Sequence, residues 1–225
     1  MNKKSSLTVL ALGMAIALTA CNSSSSSSSY TGKSYKLNGT AAVGAPVVGA
    51  KVEAICVDTT GYNDFIGSVI TDSDGKWSAE LEVGVQFPCA IQVSGGDAPF
   101  TLHSYADTEG NVNITPLTGL VLAASFSQAD LNQWFQGFNK PLETVKTAIP
   151  NYTTALLDNL TNKGYSVPAE ENPFSTAFDA DGQGWDMLLD DLAVAMGDES
   201  KTYQDLLDSV ATALDFTVIP GLNRP

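Results

Sequence analysis

The feature that most constrains this chain is a change of hydrophobic period near residue 114. From about Tyr35 to Ile114 apolar residues recur every second position, and from Thr115 onward they recur at helical spacing. A two-residue period buries one face of a strand, whereas a 3.6-residue period buries a stripe along a helix. The pattern therefore predicts an α+β chain: an antiparallel β-sandwich over 35–114, then a small helical bundle over 115–225.

The clearest strand is Trp77-Ser78-Ala79-Glu80-Leu81-Glu82-Val83, with Trp77, Ala79, Leu81 and Val83 on one face. Thr71-Asp72-Ser73-Asp74-Gly75-Lys76 precedes it as a turn in which Asp side chains cap local amides and Gly75 supplies a positive φ. With Phe65 to Ile70 it predicts a hairpin. Further turns are expected at Gly44-Ala45-Pro46, Thr60 to Asp64, Gly95-Gly96-Asp97 and Glu109-Gly110-Asn111, a spacing that suits short antiparallel strands.

Thr115-Pro116 opens the helical half, since a hydroxyl caps the first turn and proline's missing amide costs nothing there. Leu117, Leu120, Val121 and Ala124 follow as a stripe. Ser127 with Asp130 suggests a second capped start before Leu131, Trp134 and Phe135. A longer helix is expected after Pro141, through Leu142, Val145, Ile149, Tyr152, Leu156 and Leu160 to Gly164, with Pro150 bending or splitting it. Two more stripes run from Trp185 through Leu188, Leu189, Leu192 and Met196, and from Tyr203 through Leu206, Leu207, Val210 and Leu214.

The first residues are laid out as a signal peptide, with Lys3 and Lys4, an apolar run from Leu7 to Leu18, and small residues before Cys21. A membrane span needs about 20 apolar residues, and this run is shorter. Leu18-Thr19-Ala20-Cys21 resembles the lipobox of bacterial lipoproteins. The resemblance implies cleavage after Ala20, so that 1–20 is a lipoprotein signal peptide, and acylation of Cys21. Each buried methylene contributes about 0.8 kcal/mol, so two or three acyl chains hold the protein on a bilayer. Asn22, where the enterobacterial inner-membrane retention signal has aspartate, favours the outer membrane by the same resemblance. Residues 21–34 read as a Ser-rich tether with too little apolar surface to order, reaching roughly 20 Å.

With Cys21 assigned to lipid, Cys56 and Cys89 remain as an even pair for an oxidising compartment. Cys56 shares a strand face with Val52 and Ala54, and Cys89 with Phe87, Ile91 and Val93. Both thiols should point inward, and a disulfide closing about 33 residues would contribute roughly 3 to 4 kcal/mol.

Gly44-Ala45-Pro46-Val47-Val48-Gly49-Ala50-Lys51-Val52, followed by Thr71 to Trp77, resembles the carboxypeptidase regulatory-like, transthyretin-like domains of exported bacterial proteins. That resemblance implies a sandwich of transthyretin-like or immunoglobulin-like type and almost nothing about activity. The segments His103 to Leu122 and Phe178 to Asp190 resemble a layout found in poorly characterised proteobacterial lipoproteins, which implies sandwich and helices together in one ectodomain.

The net charge of −14 deepens by two once Lys3 and Lys4 leave, a surface that repels phosphates and argues against nucleic acid. Asp179, Asp181, Asp186 and Asp190 around Gly182 and Gly184 supply carboxylate oxygens for calcium. Gln183 and Asp190 depart from an EF-hand loop, however, and an acidic helix start accounts for the same residues, so no metal is expected. Asp72, Asp74 and Gly75 are explained by their turn. His103 is the single histidine and stands on a strand without a nucleophile motif. Among the aromatics, Trp134, Phe138, Tyr165, Phe174 and Trp185 belong to packing, whereas Tyr62 and Phe65 are the candidates for an exposed binding loop.

These observations predict a non-enzymatic, membrane-anchored binding or structural component of the bacterial envelope, with no cofactor. Its partners would be the bilayer through Cys21 and an envelope protein or glycan. Two other readings stay open: a glycan-acting hydrolase using paired carboxylates, and a calcium-dependent adhesion module.

Overall fold

The computed structural model describes residues 33–57, 64–139 and 142–222. The leader, Cys21, Tyr62 and nearly all of the serine tract lie outside the described residues. The described chain is mixed α+β: seven strands in two sheets come first and five helices follow.

The strands are β1 (Lys36–Thr40), β2 (Lys51–Val57), β3 (Val69–Ile70), β4 (Lys76–Glu80), β5 (Gln86–Ser94), β6 (Leu102–Ala106) and β7 (Gly110–Asn111). One sheet has the order β4-β1-β7 and the other β3-β2-β5-β6. Alternation sets β2, where Val52, Ala54 and Cys56 point inward. Cys56 stands opposite Cys89 in the β2/β5 register, and the two form a disulfide.

Four details differ from the sequence expectation. The β1/β7 pair is parallel, with Leu37 opposite Gly110, so the strand arrangement is not wholly antiparallel. Strand β4 stops at Glu80, and Val83 is 43% exposed, because the chain turns through Val83 and Gly84 once Glu82 has bonded Asp64. Alternation also fails in β5, where Pro88, Cys89, Ala90 and Ile91 are consecutively buried. Helices cover the second face of this strand, so both faces are dry. Phe65 is 2% exposed, packed on Trp77 with ring centroids 5.8 Å apart, and so belongs to the core and not to a binding loop.

The helices are α1 (Pro116–Phe126), α2 (Leu131–Gln136), α3 (Leu142–Asn162), α4 (Gly184–Asp198) and α5 (Tyr203–Ala213). Thr115 and Thr118 cap α1 reciprocally, as the Thr-Pro start predicts. Helix α1 carries no simple stripe: every residue from Pro116 to Ala124 is buried. A helix apolar on all sides is a central one, and α1 touches β6, α2, α3 and α5. Gly119 permits a close approach to α5, since a Cβ there would lie 2.0 Å from Tyr203 Oη.

Ser127 does not begin α2. It closes α1 in the left-handed conformation at φ 50°, and Asp130 is the N-cap of α2, accepting from the Gln133 amide. Pro150 does not split α3, which continues from Leu142 to Asn162. Pro150 and Lys146 both lie on the exposed face, where the carbonyl freed by proline can bond water. In α5 the stripe Tyr203, Leu206, Leu207 and Val210 is buried, but Leu214 is the left-handed C-cap and 42% exposed.

Strands and helices contribute to a single buried cluster that runs from Leu37 to Ile219. Thr118 Oγ1 donates to the His103 carbonyl at 2.7 Å, and Asn113 Nδ2 donates to the carbonyls of Pro173 and Thr176. No helix among the described residues is long and apolar enough to cross a membrane.

Candidate functional site

Three segments distant in sequence meet at one cleft of about 530 Å³. Strand β6 and its approach bring Phe100, Thr101 and His103; the start of α2 brings Ala129, Asp130, Leu131 and Asn132; the start of α5 brings Thr202, Tyr203, Gln204 and Leu207. The volume lies within the range of small-ligand sites.

His103 is 2% exposed. Its strand register places it opposite Gln92, whose Oε1 lies 3.2 Å from Nε2. An amide oxygen can only accept, so Nε2 holds the ring proton and Nδ1 presents a lone pair. Nδ1 is buried without a hydrogen bond of good geometry, and Asn132 is the side chain that interacts with the ring. The rings of Trp134 and Phe135 stand against the imidazole at centroid distances of 6.4 and 6.3 Å. Burial pushes the imidazole down to about 3, opposed by the Asp130 carboxylate and by hydrogen bonding with the Asn132 side chain. The ring is therefore neutral at physiological pH.

Phe100 and Tyr203 stack at 4.5 Å and 22°, forming a wall of the cleft. Burial pushes the Tyr203 phenol up, and its hydroxyl donates to the Pro116 carbonyl. Beyond the wall is a second cleft of about 490 Å³, lined more by carbon: Val43, Pro99, Leu189, Leu192 and Met196 contribute to it.

The acidic loop before α4 is used internally. Asp179 pairs with Lys76 at 2.7 Å, which holds its carboxyl below the usual range. Lys76 also bonds the Phe178 carbonyl and Thr40 Oγ1, tying the loop to β4 and β1. Asp181 accepts from the Gln183 amide and Asp186 Oδ2 from the Gly182 amide. Asp186 is 2% exposed and raised by burial; Asp190 is also raised by burial, and its Oδ1 packs where a Cβ on Gly44 would sit. Among the described residues, no group of three or more His, Cys, Asp or Glu is placed to hold a metal ion. Asp72 Oδ1 accepts from the amides of Asp74 and Lys76, as a turn requires.

Trp134, Phe138, Tyr165, Phe174 and Trp185 are all buried. The sequence signalled His103 at the cleft only by its singularity. Phe100, Asn132, Thr202 and Gln204 carried no motif, because the cleft forms where strand and helix ends converge and not along one element.

No protein-family model matches the chain, and no curated protein or solved structure matches it.

Proposed function

We propose that this chain is an exported, lipid-anchored binding component of the bacterial envelope, whose ligand cleft lies at the junction of β6, α2 and α5. The carrying observation is the cleft itself: it is concave, it mixes aromatic and polar groups, and its lining includes a buried imidazole whose Nδ1 lacks a hydrogen bond of good geometry. Burying such a group without a partner costs about 1 to 3 kcal/mol, which a ligand donor would recover.

Anchoring is read from Leu18-Thr19-Ala20-Cys21, with the acylated Cys21 in the outer membrane and the serine tract holding the folded body off the headgroups. The Cys56–Cys89 disulfide suits an oxidising compartment outside the cytoplasm. The two sheets are read as a transthyretin-like sandwich: Gly44, Gly49 and Gly75, which carry that resemblance, take positive φ at the turns where it needs them. On this reading the sandwich is the platform and the helices complete the site.

The test is a thermal melt of the full mature protein in detergent, with and without the small-molecule fraction of an envelope extract. The reading predicts a higher Tm for the wild type and no shift for Ala129→Trp, which fills the cleft. An unshifted wild type contradicts it.

A further inference from the structure

We infer that the cleft at His103 takes a neutral sugar ring, with hydroxyls directed at His103 and Asn132 and an apolar face against Phe100. This deepens the binding reading above and rests on it.

The lining selects by charge first. No lysine or arginine lines the cleft, and the one charged lining residue is Asp130. An anion would meet that carboxylate on an acidic protein with no counter-charge, so phosphates and carboxylic acids are disfavoured. A cation finds one carboxylate whose Oδ1 is already engaged by the Gln133 amide.

Hydrogen-bond polarity selects next. His103 Nδ1 needs a donor, because Gln92 fixes the proton on Nε2. Gln204 gives one Nε2 proton to Asp208, which leaves its second N–H as a donor and Oε1 as an acceptor. Asn132, exposed at the rim beside the imidazole it interacts with, carries an amide donor and acceptor of which one is turned to the ring. A ligand for this lining must both donate and accept at several points without carrying charge. A hydroxyl does both, and a polyol does so repeatedly.

Shape selects last. Phe100 is half-buried in its stack with Tyr203, so part of its ring remains open on the wall. The C–H face of a pyranose packs on such a ring while its edge hydroxyls reach the polar groups. About 530 Å³ holds one or two rings.

Because His103 is the single histidine, its two ring nitrogens give an unambiguous NMR readout. The full mature protein, labelled with nitrogen-15 at histidine, is titrated with glucose, galactose and N-acetylglucosamine, with the tetrasaccharides of glucose and N-acetylglucosamine, and with choline and inorganic phosphate as controls. The proposal predicts an unprotonated Nδ1 in the free protein whose resonance moves saturably with at least one sugar. Asn132→Ala and Gln204→Ala should each weaken that titration about fivefold to tenfold, the effect of one lost hydrogen bond. A response to a tetrasaccharide alone identifies the ligand as part of a glycan chain, and a response to the monosaccharide as well identifies a free sugar. If no sugar moves the resonance at about 50 mM, the sugar proposal is overturned, and the binding reading stands where choline or phosphate moves it. If no probe moves it, both fall.

Discussion

Lowering the pH from 7 to 5 should destabilise the folded chain by about 2 kcal/mol through His103 alone. In the unfolded chain a histidine titrates near 6.5, whereas burial holds His103 at about 3 in the fold. Between those values the unfolded chain takes up a proton and the folded chain does not, so stability is full above about 6.5 and declines as pH falls towards 3. Integrating over two pH units from 7 gives the figure of about 2 kcal/mol, and the result depends only on the folded value lying below 5. Asp130 faces the ring and opposes the shift, and no other histidine shares the window. Asp186 and Asp190, raised by burial, act with the opposite sign: the folded state gains their protons first, so any overlap reduces the slope. Asp179, Asp205 and Asp215 are lowered by their hydrogen-bond partners and release their contribution only in more acid solution. Urea unfolding at pH 7, 6 and 5 measures the effect, with His103→Asn as the comparison. The wild type should lose about 2 kcal/mol and the variant, referred to its own value at pH 7, much less. A flat wild-type profile, or an equal slope in the variant, refutes the reasoning.

The double variant Cys56→Ser/Cys89→Ser should lose roughly 3 to 4 kcal/mol in denaturant unfolding, because the 33-residue loop regains its entropy in the unfolded chain. Gly119→Ala gains about 1 kcal/mol of helix propensity but drives a methyl to 2.0 Å from Tyr203 Oη, so a net loss of about 2 kcal/mol is expected; adding Tyr203→Phe should recover most of it. Asn113→Ala leaves the carbonyls of Pro173 and Thr176 without their donor and should cost about 2 kcal/mol by the same assay. Millimolar calcium should leave the Tm unchanged, since Asp179, Asp181 and Asp186 already serve Lys76 and the loop amides.

What could be read in the sequence was what local periodicity encodes. Val52, Ala54 and Cys56 alternate because one face of β2 is dry, and the phase of Cys89 on β5 sets the disulfide. The stripes of α4 and α5 were equally plain, because solvent wets their other faces. Legibility failed where tertiary packing overrode the period. Helix α1 is surrounded, so its stripe was only part of its buried surface, and β5 is covered on both faces. Phe65 read as a loop residue because its neighbours are turn formers, yet a bridge to Leu81 draws it inward. Ser127 and Asp130 both suit helix starts, and only the backbone geometry separates the end of α1 from the cap of α2. The cleft was invisible for a deeper reason. Its polarity depends on which nitrogen of His103 Gln92 holds, a pairing set by the β5/β6 register.

The central claim, that this is an anchored envelope protein, is tested most directly by the intact mass of the protein extracted from its membrane. The account predicts a chain that begins at Cys21 and carries the added mass of two or three acyl chains. A chain without acyl mass, whether cleaved elsewhere or not at all, would contradict it.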